Sequence, residues 1–355
     1  MTTVLGSPER VTSEPAQGVG VAVVGAGYWG PNLIRNFAQL GDARVVAVCD
    51  QQPQRLQTIA RRYPSVALTT DFSDMLADPA VEAVAIATPV SSHATLARQA
   101  LLAGKHVLIE KPMTASVADA EMLVDLACQR RLTLMVDHTF IYTGAVQRIK
   151  QLVATEELGD LYYYDSVRVS LGAFQQDVSV VWDLAAHDLS IIDYIVPAKA
   201  QRISALAAAH FPGGVADVAY LTLQFDNNLI AHFHVNWLSP VKVRQVLIGG
   251  NRRMVLYDDI EPTEKVKVYD RGVLWTNDPS DLRRTVNVAY RLGDMYAPRL
   301  DQTEALEVEC AHFIDCVRSG STPQSDGEAG LRVVRLLAAA EQSLRDDGRP
   351  QVLSR

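Results

Sequence analysis

Gly25-Ala26-Gly27-Tyr28-Trp29-Gly30 spells GxGxxG directly behind the apolar run VGVAVV (19–24). In such a turn the first glycine permits a tight bend and the second lets the backbone approach a pyrophosphate. The third allows a helix to pack close to the strand. The helix that follows offers free N–H groups and partial positive charge to phosphates. Asp50 closes the next apolar run about 20 residues on, where a carboxylate hydrogen-bonds an adenosine ribose diol. Tyr28, Trp29 and Gln51 border these groups and join them as candidate cofactor contacts. A 2′-phosphate beside Asp50 would be repelled. Gln51 and Gln52 follow the acid, and Arg55 comes only one turn later, so the pattern predicts NAD rather than NADP.

Further reactive groups fall where other apolar runs end. Thr88-Pro89 and Ser92-His93 follow one run and Glu110-Lys111-Pro112 another, and open α/β sheets bind ligands outside that edge. Ser92 would cap the next helix, contact the cofactor, or do both. Lys111 would donate to a substrate oxygen and stabilise a developing alkoxide, or form a surface ion pair. Asp183 and His187 are spaced i, i+4, which puts them on one helical face. There a carboxylate would fix the imidazole tautomer and leave the other nitrogen to accept a proton. The alternative is an Asp183 N-cap with His187 on a solvated face. Arg168 alternates with Ser166 and Ser170, and would reach a carboxylate or diphosphate or sit in a surface salt bridge. His232, His234 and Asn236 share a strand face, but no third ligand is apparent and no metal centre is expected.

The elements that must position these groups change character once. From residue 19 to 138, short apolar strands alternate with amphipathic helices, which predicts a parallel, doubly wound sheet. From 139 to 355 the strands alternate apolar and polar residues, predicting a mainly antiparallel sheet with helices on one face. One helix, VWDLAAHDLSIIDYIV, interrupts that sheet, and residues 271–300 read as a long loop or arm. Residues 1–18 read as a flexible tail without signal-peptide character. The fold class is therefore α/β, a Rossmann-type sheet followed by an open-faced α/β domain.

The 355 residues are 48% apolar and 21% charged, enough for a large core. A net charge of −8 is a poor footprint for nucleic acid or an anionic membrane. Four scattered cysteines predict free thiols in a reducing cytoplasm.

GAGYWG, Asp50, Glu110-Lys111-Pro112 and the Asp183-xxx-His187 pair together resemble the Gfo/Idh/MocA oxidoreductases, over nearly the whole chain from Val19. The resemblance implies that Glu110 contacts the nicotinamide ribose and Lys111 the reacting hydroxyl or carbonyl. It further implies that His187 accepts the proton, oriented by Asp183, and that His138 and Phe140 face the substrate. Where many members carry Asn-Arg-Arg-Phe, this chain reads His138-Thr139-Phe140-Ile141, which disfavours strongly acidic sugars. The segments VDHTFIYTGAV and WDLAAHDLS are similar to those of bacterial members that oxidise a sugar ring hydroxyl, often at C3, ahead of an aminotransferase. Nucleotide sugars and aminoglycosides are the implied substrates, the net charge leaning toward aminoglycosides, and the implied assembly is a homodimer or homotetramer. An NADPH-dependent ketoreductase, a redox-neutral NAD-assisted glycoside hydrolase and a non-catalytic NAD-binding regulator are the alternatives.

Overall fold

A computed structural model describes residues 18–172, 178–275 and 288–353. The expected tail therefore lies, but for Gly18, outside the described residues. In the first sheet β1 (Val19–Val24), β2 (Ala43–Cys49), β3 (Ala67–Thr69), β4 (Ala83–Ile86), β5 (His106–Glu110) and β6 (Leu134–Asp137) run parallel. Their order is β3-β2-β1-β4-β5-β6. The crossovers are α1 (Gly30–Gln39), α2 (Pro53–Arg62), α3 (Phe72–Ala77), α4 (Val90–Leu102) and α5 (Val117–Arg130). β1 is buried along its whole length, which is why it reads as an unbroken apolar run. The strand order reverses between β1 and β4, opening a crevice at the carboxyl ends of both strands.

A 3₁₀ turn (Thr139–Tyr142) and α6 (Gly144–Ala154) lead into the second region. There follow β7 (Leu161–Leu171), a π-helical turn (Val181–Ala185), α7 (Ala186–Ile195), β8 (Ala200–Ala208), β9 (Val218–Phe225) and β10 (Ile230–Asn236). Next come β11 (Leu238–Gly250), β12 (Met254–Asp258), β13 (Val266–Trp275) and β14 (Val288–Tyr296). The chain closes with α8 (Ala305–Ser319), α9 (Gly327–Arg345) and β15 (Gln351–Val352). The sheet order is β14-β13-β12-β11-β7-β10-β9-β8-β15, antiparallel except where β10 joins β7. Ala219, Leu221, Ala231, Phe233 and Val235 are buried on its inner face, where α9 packs on β8 and the π turn on β10. On the outer face the Tyr220 ring stacks on His234 with centroids 4.4 Å apart. Among the described residues no helix is long and apolar enough to cross a membrane.

Two expectations are corrected. Residues 271–300 are not one loop: β13 and β14 pair as a hairpin at the sheet edge, their connection lying outside the described residues. The described side chains of β14 are almost all exposed, so no alternation marks it as a strand. The interrupting helix opens in a π turn before becoming α-helical. The packing of α8 reaches back to the first sheet's helices. The helix lies against α1, where Phe313 meets Phe37 edge-on at 6.2 Å, and Arg35 pairs with Glu304 just before it. Val136 N–H then donates to the Ser325 carbonyl (2.8 Å), tying the segment after α8 to β6.

Candidate active site

A cavity of about 1440 Å³ opens along the crevice, running from the glycine turn to the inner face of the second sheet. At one end stand Gly25, Gly27, Tyr28, Trp29, Asp50 and Gln51, and at the other Lys111, Phe140, Asp183, His187 and Arg244.

The glycine end is built to admit a dinucleotide. Gly25 has φ +92°, and a Cβ there would strike the Ala87 carbonyl, so no other residue makes this bend without strain. A Cβ on Gly27 would meet only the Arg55 guanidinium, at 3.6 Å, so its open side faces the cavity. Gly30 does not line the cavity. A Cβ there would overlap the Gly25 carbonyl, which matches a packing role. Asp50 accepts from Ala26 N–H (2.7 Å) and Gln52 N–H (2.8 Å), bracing the turn. A carboxylate offers about four acceptor sites, and Arg55 Nη1 takes a third at 3.4 Å. Room for a ribose hydroxyl remains, so these residues fit an NAD-type cofactor. The placing of Arg55 is a correction: from one turn into α2 it swings back over the strand end, so Asp50 does not stand without a cation.

Thr88, Pro89, Ser92 and His93 line the middle of the cavity. Ser92 Oγ donates to the Pro89 carbonyl (2.8 Å) and sits 2.7 Å from Thr88 Oγ1, whose hydroxyl can donate to it, stitching the first turn of α4. His93 is buried, with Nε2 2.8 Å from the Thr88 carbonyl and Nδ1 3.0 Å from that of Pro112. Its ring thus links the ends of β4 and β5, and burial holds its pKa below the ordinary histidine value.

At the far end Lys111 Nζ donates to the Asp183 carbonyl (2.9 Å) and to its Oδ1 (3.3 Å). Trp237 Nε1 donates to Asp183 Oδ2 (3.2 Å). The carboxylate is therefore bound to Lys111 and Trp237, not to His187 as the i, i+4 spacing predicted. The cause is local. In the π turn hydrogen bonds run i to i+5, so residues four apart no longer stand above one another. His187 Nδ1 is buried with no hydrogen-bond partner, and the ring meets Phe140 edge-on at 5.0 Å. Burial, then Lys111, Arg168, His138 and Arg244 in decreasing order, push its pKa well below the histidine range. It is a neutral imidazole.

His138 and Arg168 do not line the cavity. His138 is buried with neither ring nitrogen bonded, and burial, helped by Lys111, lowers its pKa to about 3. Arg168 is neither in solvent nor at the substrate: it makes a buried two-pronged pair with Asp188 (3.0 and 2.9 Å). Its guanidinium lies 4.3 Å from the Phe140 ring centroid. Alternation with two serines could not tell the inner from the outer face of a sheet whose partner strands come later in the chain.

Three groups escaped the sequence reading. Asp137 lines the cavity and accepts from Trp29 Nε1 (2.7 Å) and from Thr139 Oγ1. Glu309, wholly buried on α8, faces the Asp137 carboxylate and Thr139. Burial, then Asp137, holds Glu309 and likewise Glu110 well above the usual carboxyl range, against the pull of Lys111 on Glu110. Arg244, the third, reaches the cavity from β11. Only the end of β6 gave Asp137 a signal. Glu309 and Arg244 had none, being brought in by distant packing.

The oxidoreductase profile with an NAD-binding Rossmann fold, that of Gfo/Idh/MocA, matches residues 19–138, and the Gfo/Idh/MocA C-terminal domain matches residues 146–255. The chain belongs to the Gfo/Idh/MocA family. This family member is an NAD-dependent oxidoreductase. It is 28% identical over 329 residues to UDP-N-acetylglucosamine 3-dehydrogenase of Acidithiobacillus ferrooxidans, spanning 90% of this chain and 94% of that one. Its fold matches that of GenD2 from gentamicin A biosynthesis, solved with NAD (TM-score 0.81, 22% identity, 99% of this chain and 100% of that one). It also matches the WlbA dehydrogenase of Bordetella pertussis, solved with NADH and UDP-GlcNAcA (TM-score 0.77, 21% identity, 96% and 100%).

Proposed function

We propose that this family member oxidises a secondary hydroxyl of a sugar ring, at C3, to a ketone, and that an aminotransferase consumes the product. The supporting observation is that Lys111 and His187 open onto the same cavity as the glycine turn. Gly25, Gly27, Asp50 and the end of β4 would hold NAD, which supplies the hydride acceptor when bound. His187 then takes the hydroxyl proton, being neutral at working pH. Lys111 stabilises the alkoxide with the N–H that Asp183 does not occupy. Asp183 is a positioning residue for Lys111, held in turn by Trp237. The relative named as a UDP-N-acetylglucosamine 3-dehydrogenase supports the choice of ring carbon.

The test is NADH absorbance on mixing the protein and NAD⁺ with nucleotide sugars and aminoglycosides, an aminotransferase and amino donor drawing the oxidation forward. NADH accumulation is the expected result. Bound NAD with no accumulation on either panel would overturn the reading and favour redox-neutral hydrolysis. Arg55 beside Asp50 favours a second reading, an NADPH-dependent ketoreductase. Repeating the assay with NADP⁺, which should be the poorer cofactor, separates the two.

A further inference from the structure

Arg244 stands directly opposite Arg168 where β11 pairs with β7, so the two guanidiniums share the inner face of the sheet. Both lie over the Phe140 ring, at 4.3 Å for Arg168 and 5.7 Å for Arg244. Like charges directly opposite destabilise a sheet unless acids compensate them. Arg168 is compensated: Asp188 takes it with two short hydrogen bonds, and neither side chain reaches solvent appreciably. Arg244 is not. Of its five N–H groups, one makes a long bond to Asp259 (3.3 Å). That same carboxylate also accepts from Lys265 (3.4 Å) and the Tyr257 hydroxyl (3.2 Å). Arg168, Arg244 and Lys265 thus face two carboxylates, Asp188 and Asp259, leaving one positive charge in excess.

The other carboxylates that line the cavity, Asp50, Asp71, Glu110, Asp137 and Asp183, make no hydrogen bond or ion pair with Arg244, whose acid is Asp259. Asp183 is held by Lys111 and Trp237, Asp137 by Trp29 and Thr139, Asp50 by the glycine turn, and Asp71 by the first N–H groups of α3. Of the pair, Arg244 is the one that lines the cavity, next to His187 and Phe140, with a third of its side chain exposed. A planar guanidinium with spare N–H groups matches carboxylate and phosphate oxygens.

We propose that Arg244 sets substrate specificity by binding an anionic group on the sugar, a carboxylate or a diphosphate, and that its guanidinium, placed next to His187, disfavours a polycationic aminoglycoside there. The inference rests on the sugar-dehydrogenase reading and decides between its two substrate branches. It also answers the lack of Asn-Arg-Arg-Phe after β6: the cation arrives from β11 onto the same Phe140.

The experiment is calorimetric binding to the full chain in the presence of NADH, which needs no turnover and so stands apart from the NADH-production assay. Probes are UDP-N-acetylglucosamine for the diphosphate, D-glucuronate for the carboxylate and kanamycin for the polycation. Arg244→Gln should weaken whichever anionic probe binds by roughly 10- to 100-fold. Arg244→Lys should recover part of the loss, and Arg253→Gln, whose partner Glu157 lies away from the cavity, should change nothing. The melting temperature of each variant shows whether it folds. Anionic probes that bind Arg244→Gln as tightly as wild type, kanamycin binding more tightly than either, or binding by none of the three would each overturn the proposal. NADH production without discrimination by Arg244 would sink this inference alone. Anion binding that follows Arg244, without NADH production, would sink the dehydrogenase reading alone.

Discussion

Lys111 and His187 meet in this cavity from opposite directions, one at the end of β5 and the other where a π turn passes into α7. Their electrostatics are linked, since Lys111 is, after burial, the largest influence keeping His187 neutral. A base whose charged form is opposed by three cationic neighbours holds a proton only in passing. We therefore expect kcat/KM for oxidation to stay level as pH falls through 6.5, the acid limb lying well below that point. An acid limb centred near 6.5 and missing from His187→Gln would contradict the enclosed, neutral ring. His187→Gln itself should lower kcat by roughly 10²- to 10⁴-fold, the usual contribution of a positioned acid–base group, read by steady-state kinetics. At this scale the sequence reading singled out Lys111, Asp183 and His187, and all three line the cavity. It misjudged which of them touch, because the i, i+4 rule holds only in an α-helix.

The elements divide between those that announce themselves and those that do not. Strands β1, β2, β4, β5 and β6, buried on both faces, stand out as apolar runs, and the glycine turn is legible because geometry leaves Gly25 and Gly30 little choice. Gly30→Ala tests that directly. Its Cβ would press on the Gly25 carbonyl, a backbone atom that cannot swing away. Overpacking of this kind costs about 1–3 kcal/mol, so thermal unfolding should begin several degrees lower and NAD should bind less tightly. Gly41→Ala, with nothing within 4 Å of its Cβ, should leave both unchanged. The strands that escaped notice are three-residue β3, two-residue β15 and the edge strand β14. A strand too short to show a period, or one with neither face buried in the single chain, leaves no pattern to read.

For the molecule as a whole, buried titratable groups set how stability follows pH. His138 titrates at about 3 when folded and near 6.5 when unfolded. Below pH 6.5 the unfolded chain binds a proton that the native state refuses, so stability falls with pH until the folded value is passed. Between pH 7 and 5 that loss is about 2 kcal/mol. Glu110 and Glu309 act in the opposite sense. Their folded values are raised, so their contribution is complete below the unfolded carboxyl pKa and declines as pH rises through the folded one. Comparing denaturant unfolding of wild type and His138→Leu at pH 7 and 5 isolates the histidine. The variant should lose about 2 kcal/mol less over that interval, and equal losses in both would show that His138 is not buried neutral.

The return of the chain's end to its beginning bears on how such enzymes diversify. Glu309 rides on α8 behind Asp137, Phe313 fills the surface of α1, and Ser325 pairs with β6. The cofactor half is thus completed by residues that follow the whole substrate half in sequence. A recombination joint placed near residue 138 would graft a new substrate sheet but also bring a foreign α8, leaving α1 with a mismatched neighbour and Asp137 beside another side chain. The halves of this chain are not interchangeable cassettes. A viable hybrid needs two crossovers, one after β6 and one before α8, so new specificities arise more readily by altering the inner face of the large sheet than by exchanging it.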